Sequence, residues 1–354
     1  MPKYVAYCGN FINDGKQGIR IYDVDMVTGV FTFRSEVEAH NPIYLTVSKD
    51  KKFLYSIVEE GVSAFSINDD GSLNFLNTKW IGGLRGCYLT VDSENRYIFI
   101  GGYYDGRITM MNLLEDGSIG DVTCGIFHQG LGISSVEARL EPKVTCVELS
   151  HDETLLYTVD YGIDQVVVYS IDYTIGKLDV ADIIRCPFGT MPRMVRLTKD
   201  DKYVYILSEK RNKIDVMKAD RENGKLSHDK IQSVSVIKDT YMTAAAAALE
   251  ISRDEEYVYA SVDAVNSFAC LKRDARTGEL RFEFDFRVSG DCPGSIYIFP
   301  DKKHVVSLNY DTNEMRTFEM HYKHKYALMR KPPLKIKKPT CLKIMKLKEG
   351  DSAK

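Results

Sequence analysis

Hydrophobic and polar residues alternate in short runs along the whole chain. Ile19-Arg20-Ile21-Tyr22 is one such run, and its two-residue period is that of a strand with one buried face. The runs recur as a unit: an apolar strand, a polar turn with an acid, an aromatic-rich strand, a third strand, then a glycine-bearing turn. The first turn appears as Ser48-Lys49-Asp50 before KKFLYSI, near Glu94 before NRYIFI, and as Ser150-His151-Asp152 before ETLLYTV. It returns as Thr198-Lys199-Asp200 before DKYVYIL, Ser252-Arg253-Asp254 before EEYVYAS and Pro300-Asp301 before KKHVVSL. The acids at 50, 94, 152, 200, 254 and 301 are 44, 58, 48, 54 and 47 residues apart. The second turn forms a parallel series: Thr28-Gly29, Asp70-Gly71, Asp116-Gly117, Gly176-Lys177, Gly224-Lys225 and Gly278-Glu279. Asp and Gly suit tight turns because they tolerate positive φ or bond their own backbone.

Four strands per roughly 45–50 residues is the size of a propeller blade, and the count closes at seven. The first unit lacks its opening strand, because YVAYCGN matches the second strand elsewhere. Cys341-Leu342-Lys343-Ile344-Met345 supplies it from the far end; it follows Pro339 as other opening strands follow Pro42, Pro142 and Pro192. The expected fold is an all-β, seven-bladed β-propeller with four antiparallel strands per blade, the first closed by the C-terminal strand. It forms a single domain over residues 1–348, with 349–354 a disordered tail. The Ala244–Ala248 run reads as a tightly packed opening strand or a short helical turn. Two connections are longer than the rest, His128 to Pro142 and about Ile231 to Thr243, and the first is a candidate to line a site.

Composition narrows the class. Among 354 residues, 44% are hydrophobic, 27% are charged and the net charge is −3, which excludes wholesale disorder and gives no case for nucleic acid. No apolar run is long enough for a membrane-spanning helix and no leader pattern opens the chain, so the expected location is cytoplasmic. The basic stretch from His321 to Lys348 reads as a solvated outer strand and frayed tail. Eight scattered cysteines with no CxxC spacing, and seven dispersed histidines, predict buried free thiols, no metal site and no cofactor. Phosphate-loop, nucleophile-elbow and HExxH motifs are absent.

Four local patterns carry candidate chemistry at the strand ends that should ring a central channel. They are Lys143 and Thr145 with the Asp160-x-Gly162-x-Asp164 turn, Pro192-Arg193, Ser208-Glu209, and Asn309-Tyr310 with its analogue Gly102-Tyr103. Arg193 suits a phosphate or carboxylate, or a neighbouring acid such as Glu209; Glu209 suits a general base or the partner of Arg193. His128, opening the longer connection, is the one histidine placed for a site.

The seven units, the TVDYGID hairpin after a Pro loop, Pro192-Arg193 and Ser208-Glu209 together resemble the lactonase family of seven-bladed propellers. That family includes propeller-type 6-phosphogluconolactonase and 3-carboxy-cis,cis-muconate cyclase. The resemblance implies metal-independent opening or closing of a lactone ring. It casts Glu209 as base and Arg193 as anion anchor or oxyanion donor; beside them Thr145, Asp160, Tyr103, Asn309 and His128 stand as candidate substrate contacts. The chain departs from the family pattern where Lys143 and Thr145 replace two histidines, Met194 replaces another, and Gly102 replaces an asparagine. Lys143 then stands as a substitute cationic donor or base. Three readings follow: a hydrolase of a small anionic sugar lactone, monomeric or weakly dimeric; a cycloisomerase of a muconate-like acid; and a non-catalytic propeller that binds a small anion or a protein.

Overall fold

The computed structural model describes residues 3–12, 18–130, 141–222, 225–238 and 243–347. Seven antiparallel sheets succeed one another around a central axis. The first blade pairs Pro339–Lys346 with Tyr4–Asn10, followed by Ile19–Asp25 and Val30–Val37. Its closing register runs from Tyr4 opposite Lys346 to Asn10 opposite Pro339, so each chain end covers the edge the other would leave open. The innermost strands of blades two to seven are Tyr44–Val47, Gly86–Val91, Val144–Leu149, Pro192–Leu197, Ala245–Ile251 and Pro293–Ile298. The alanine run is thus the innermost strand of the sixth blade. In the seventh blade the outer edge is split, since Tyr326–Leu328 and Leu334–Lys335 both pair with Glu314–His321. The proposed tail, most of the first long connection and part of the second lie outside the described residues.

Both series of turns have a physical cause. In the first series, Ser48 Oγ donates to Asp50 at 2.6 Å and accepts the Phe53 N–H at 2.9 Å. Thr198 and Ser252 cap the fifth and sixth blades in the same way. The third blade differs from expectation. There buried Asp92, not Glu94, gathers the N–H groups of Arg96 and Tyr97 at 2.7 and 2.8 Å. The next residue along takes positive φ in each copy, at Lys51, Asn95, Glu153, Asp201, Glu255 and Lys302. Three of these reach back to the preceding blade: Glu153 accepts from Ser93, Asp201 from His151 and Asp152, and Glu255 from Lys199.

The aromatic strands explain the glycine turns. Buried Tyr7, Tyr55 and Tyr205 each donate a hydroxyl to a turn carbonyl of the next blade, at Gly71 (2.8 Å), Gly117 (3.0 Å) and Gly278 (2.9 Å). Gly117 and Gly278 stand at positive φ where an added Cβ would meet the ring of Phe53 or Tyr203 at 2.1 or 2.3 Å. In the fourth blade Tyr157 instead meets His228 Nε2 at 2.9 Å, and His228 Nδ1 meets Asp182 at 2.7 Å. Apolar clusters packed between neighbouring blades complete the ring. All eight cysteines are free thiols.

Candidate active site at the channel mouth

In every blade but the second, whose register is unbroken, the pairing of the innermost strand with the second strand slips near its start. The skipped residues are Thr340, Cys87, Thr145, Arg193, the pair Ala247 and Ala248, and Gly294. A bulge re-aims the extra side chain. Here all of them, with Ile43 at the matching place in the second blade, line a channel of about 650 Å³. Arg193 is the only charged member of this ring.

In all blades but the sixth the residue following the second strand is large, and three of these, Phe11, Tyr103 and Tyr310, line the channel. Phe11, Glu59, Tyr103, Tyr161, Glu209 and Tyr310 hold that position in six blades. Arg193 Nε donates to the Ala247 carbonyl at 2.9 Å, and its Nη1 pairs with Glu209 Oε2. The other Glu209 oxygen accepts from the Tyr161 hydroxyl at 3.2 Å. Burial, then the Glu209 charge, pushes the Tyr161 phenol up to about 12, so it stays a donor at neutral pH. Thr145 Oγ1 donates to the Arg193 carbonyl at 2.7 Å. Lys143 Nζ sits 5.0 Å from the Tyr103 ring centre, and Tyr103 and Tyr161 rings are 6.3 Å apart.

The Asp-x-Gly-x-Asp turn builds this corner rather than facing a ligand. Asp160 has no exposed surface. Its Oδ1 accepts the N–H groups of Lys143 at 2.9 Å and Gly162 at 3.0 Å, and its Oδ2 meets His128 Nδ1 at 2.7 Å. A Cβ on Gly162 would lie 1.8 Å from the Glu141 carbonyl oxygen, so only glycine fits. Asp164 accepts from the N–H groups of Gly189 and Met191, both at 2.7 Å, and so sets the chain entering Arg193.

The structure therefore places Arg193, Thr145 and Tyr103 on the channel, with Glu209 paired to Arg193 and Lys143 set over the Tyr103 ring. It places Asp160 and His128 inside the wall between the third and fourth blades, and Asn309 inside the seventh, where Ser307 donates to it. Those three were expected as substrate contacts. Their burial comes from the strand-end position itself, which the neighbouring loop covers. Tyr161, which the sequence places in the TVDYGID hairpin but not among the expected substrate contacts, occupies the same repeat position as Glu209. Cys87 and Cys292 also line the channel, and burial pushes their thiols up to about 12 and about 11, which keeps them protonated and weakly nucleophilic. Among the described residues no group of three or more His, Cys, Asp or Glu side chains is placed to hold a metal ion.

Deeper along the innermost strands lies a charged layer that the sequence reading did not single out. Arg196 bridges Glu250 Oε1 at 2.7 Å and Glu148 Oε2 at 3.3 Å. Lys343 stands at the matching register in the first blade, 5.1 Å from the Tyr44 ring. Burial raises the Glu148 carboxyl above its ordinary value, while Arg196 opposes that rise. A signal existed, for Glu148, Arg196 and Glu250 each stand four residues before the acid of the first turn.

Fold and site together define a seven-bladed propeller with an acid–guanidinium pair at its channel mouth. The family model described as "Lactonase, 7-bladed beta-propeller" matches residues 5–344, and the chain belongs to that family. It is 25% identical to the 6-phosphogluconolactonase of Bacillus subtilis over 352 residues, covering 98% of this chain and 99% of the relative. It is 27% identical to an uncharacterised Lactococcus lactis protein over 326 residues, covering 88% and 90%. The periplasmic gluconolactonase PpgL of Pseudomonas aeruginosa superposes with a TM-score of 0.90 at 21% identity, covering 98% of this chain and all of that one. At that identity the likeness is one of fold.

Proposed function

We propose that the chain hydrolyses a sugar lactone of the 6-phosphogluconolactone type at the channel mouth. The observation that carries this reading is the Arg193–Glu209 pair, held from both ends by Ala247 and Tyr161 and open to the channel on the Arg193 side. Family membership supports the reaction class. Glu209 takes a proton from water as the water oxygen attacks the lactone carbonyl carbon. The negative charge then grows on the carbonyl oxygen, where Arg193 Nη2 and the Lys143 ammonium are the available donors. Breaking the ring C–O bond leaves an alkoxide that takes the proton back from Glu209. The product is the open hydroxy acid, with atoms and charge balanced. Thr145 steers Arg193 by bonding its carbonyl and does not itself act as a base.

The test is hydrolysis of freshly generated 6-phosphogluconolactone, corrected for spontaneous opening, in the wild type and Arg193→Ala. An enzymatic excess that collapses in the variant supports the reading; no excess in the wild type removes this substrate from it.

A further inference from the structure

The segment Trp80–Arg85 links the second blade to the third, and its backbone is tied down at successive residues. The Ile81 carbonyl accepts from Thr109 at 3.0 Å, the Gly82 carbonyl from the Arg107 guanidinium, and the Gly83 carbonyl from the Trp80 indole at 2.9 Å. The Leu84 N–H donates to Asp105 at 2.8 Å. This fixed segment nevertheless leaves Trp80 68% and Leu84 58% exposed, beside Tyr104 at 55%. Large apolar side chains held rigidly in water are ready to bind, because little order remains to be imposed.

These residues wall a second cavity of about 590 Å³, together with Glu59, Glu60 and Arg85. Arg85 and Tyr104 also line the central channel, so the two spaces adjoin. The Arg85 guanidinium is fixed 4.8 Å from the Phe11 ring centre, bound to Glu59 at 2.5 Å and to the Tyr104 hydroxyl at 3.0 Å. Glu60 is paired with His40 at 2.7 Å. The cavity thus combines a flat indole face with planar carboxylate and guanidinium groups, and its cation is already neutralised. That chemistry suits a neutral polyhydroxylated ring, whose C–H face lies on the indole and whose hydroxyls meet the polar groups; it does not suit a phosphate.

We propose that this cavity is a saccharide subsite that seats a glycosyl unit attached to the lactone ring in the channel. The lactone half of the proposal rests on the function proposed above; the saccharide half rests on this cavity alone. Trp80 is the chain's single tryptophan, so its fluorescence reports on this position directly. The experiment titrates the full chain with lactobionate, a disaccharide aldonate, and separately with gluconate. Saturable change in Trp80 emission with lactobionate, and none with gluconate at equal concentration, is the expected result. In parallel, Trp80→Ala should lower kcat/KM for lactobionolactone about tenfold, the worth of one stacked ring, and leave gluconolactone unchanged. No emission change with lactobionate, or an equal loss on both lactones, overturns the subsite. An emission change without hydrolysis of any lactone overturns the hydrolase reading and leaves the subsite standing.

Discussion

Arg196→Met removes the one guanidinium that Glu148 and Glu250 share. The Arg196 side chain is 10% exposed and touches both carboxylates, at 3.3 and 2.7 Å. Methionine retains much of the apolar stem, so the loss is chiefly electrostatic. Removing one partner from a fully buried ion pair costs about 3–5 kcal/mol, and the partial exposure of both carboxylates lowers this to about 2–3 kcal/mol. With an unfolding entropy of about 2 cal/mol/K per residue, a chain of this length should melt about 3–4 °C lower. The pH dependence identifies the cause. Burial already raises Glu148, and Arg196 restrains the rise; without it the folded-state value climbs further. A carboxyl whose folded pKa exceeds its unfolded one holds its proton more tightly when folded. Stability then falls as pH rises from the ordinary carboxylate range through the folded value. The deficit of Arg196→Met should therefore be small near about pH 5 and largest near about pH 8. Calorimetric melts of both proteins across that range measure it. A deficit independent of pH, or one smaller than about 1 kcal/mol, would refute the claim that this guanidinium offsets two partly buried carboxylates.

Glu209→Gln should lower lactone hydrolysis by about 10²–10⁴-fold without altering the melting temperature much, as progress curves and melts will show. Tyr205→Phe leaves the buried Gly278 carbonyl without its donor and should cost about 1–3 kcal/mol in urea unfolding; an unchanged midpoint would mean that the inter-blade bond contributes nothing. The bond to Asp201 raises the His151 pKa, so its stabilising contribution is complete below the ordinary histidine value and fades as pH rises through the raised one. His151→Ala should therefore destabilise by about 0.5 kcal/mol near about pH 5.5 and by almost nothing near about pH 8.5; an effect equal at both would rule out the charge as its source.

The architecture was legible because each blade must solve the same local problems. Most copies need a side chain to gather the N–H groups of the first turn, and three of them need a tyrosine to dock on the next blade and a glycine turn to receive it. Those needs repeat in the sequence as Ser48, Thr198 and Ser252, as Tyr7, Tyr55 and Tyr205, and as Gly71, Gly117 and Gly278. Asp92 shows the limit of the pattern, since an acid two residues before Glu94 performs the same capping without matching the others.

The site was legible only in part. Arg193, Thr145 and Tyr103 line the channel and bring Glu209 and Lys143 beside them, while Asp160 and Asn309, equally polar and equally close to strand ends, are buried. One residue of register separates the two outcomes. Ser208 ends its strand under a loop, and Glu209, the next residue, pairs with Arg193.

The repeat, the number of blades and the closing strand can be read from the chain alone, because they follow from local backbone needs that recur along it. Which polar side chains share the channel depends on how the folded strands pair. Residues three apart on a regular strand point to opposite faces. Yet Ala247 and Glu250, Gly294 and Tyr297, and Thr340 and Lys343 all line the channel together. The bulge beside each first member reverses the alternation, and a bulge belongs to the pairing of two strands, not to either strand alone.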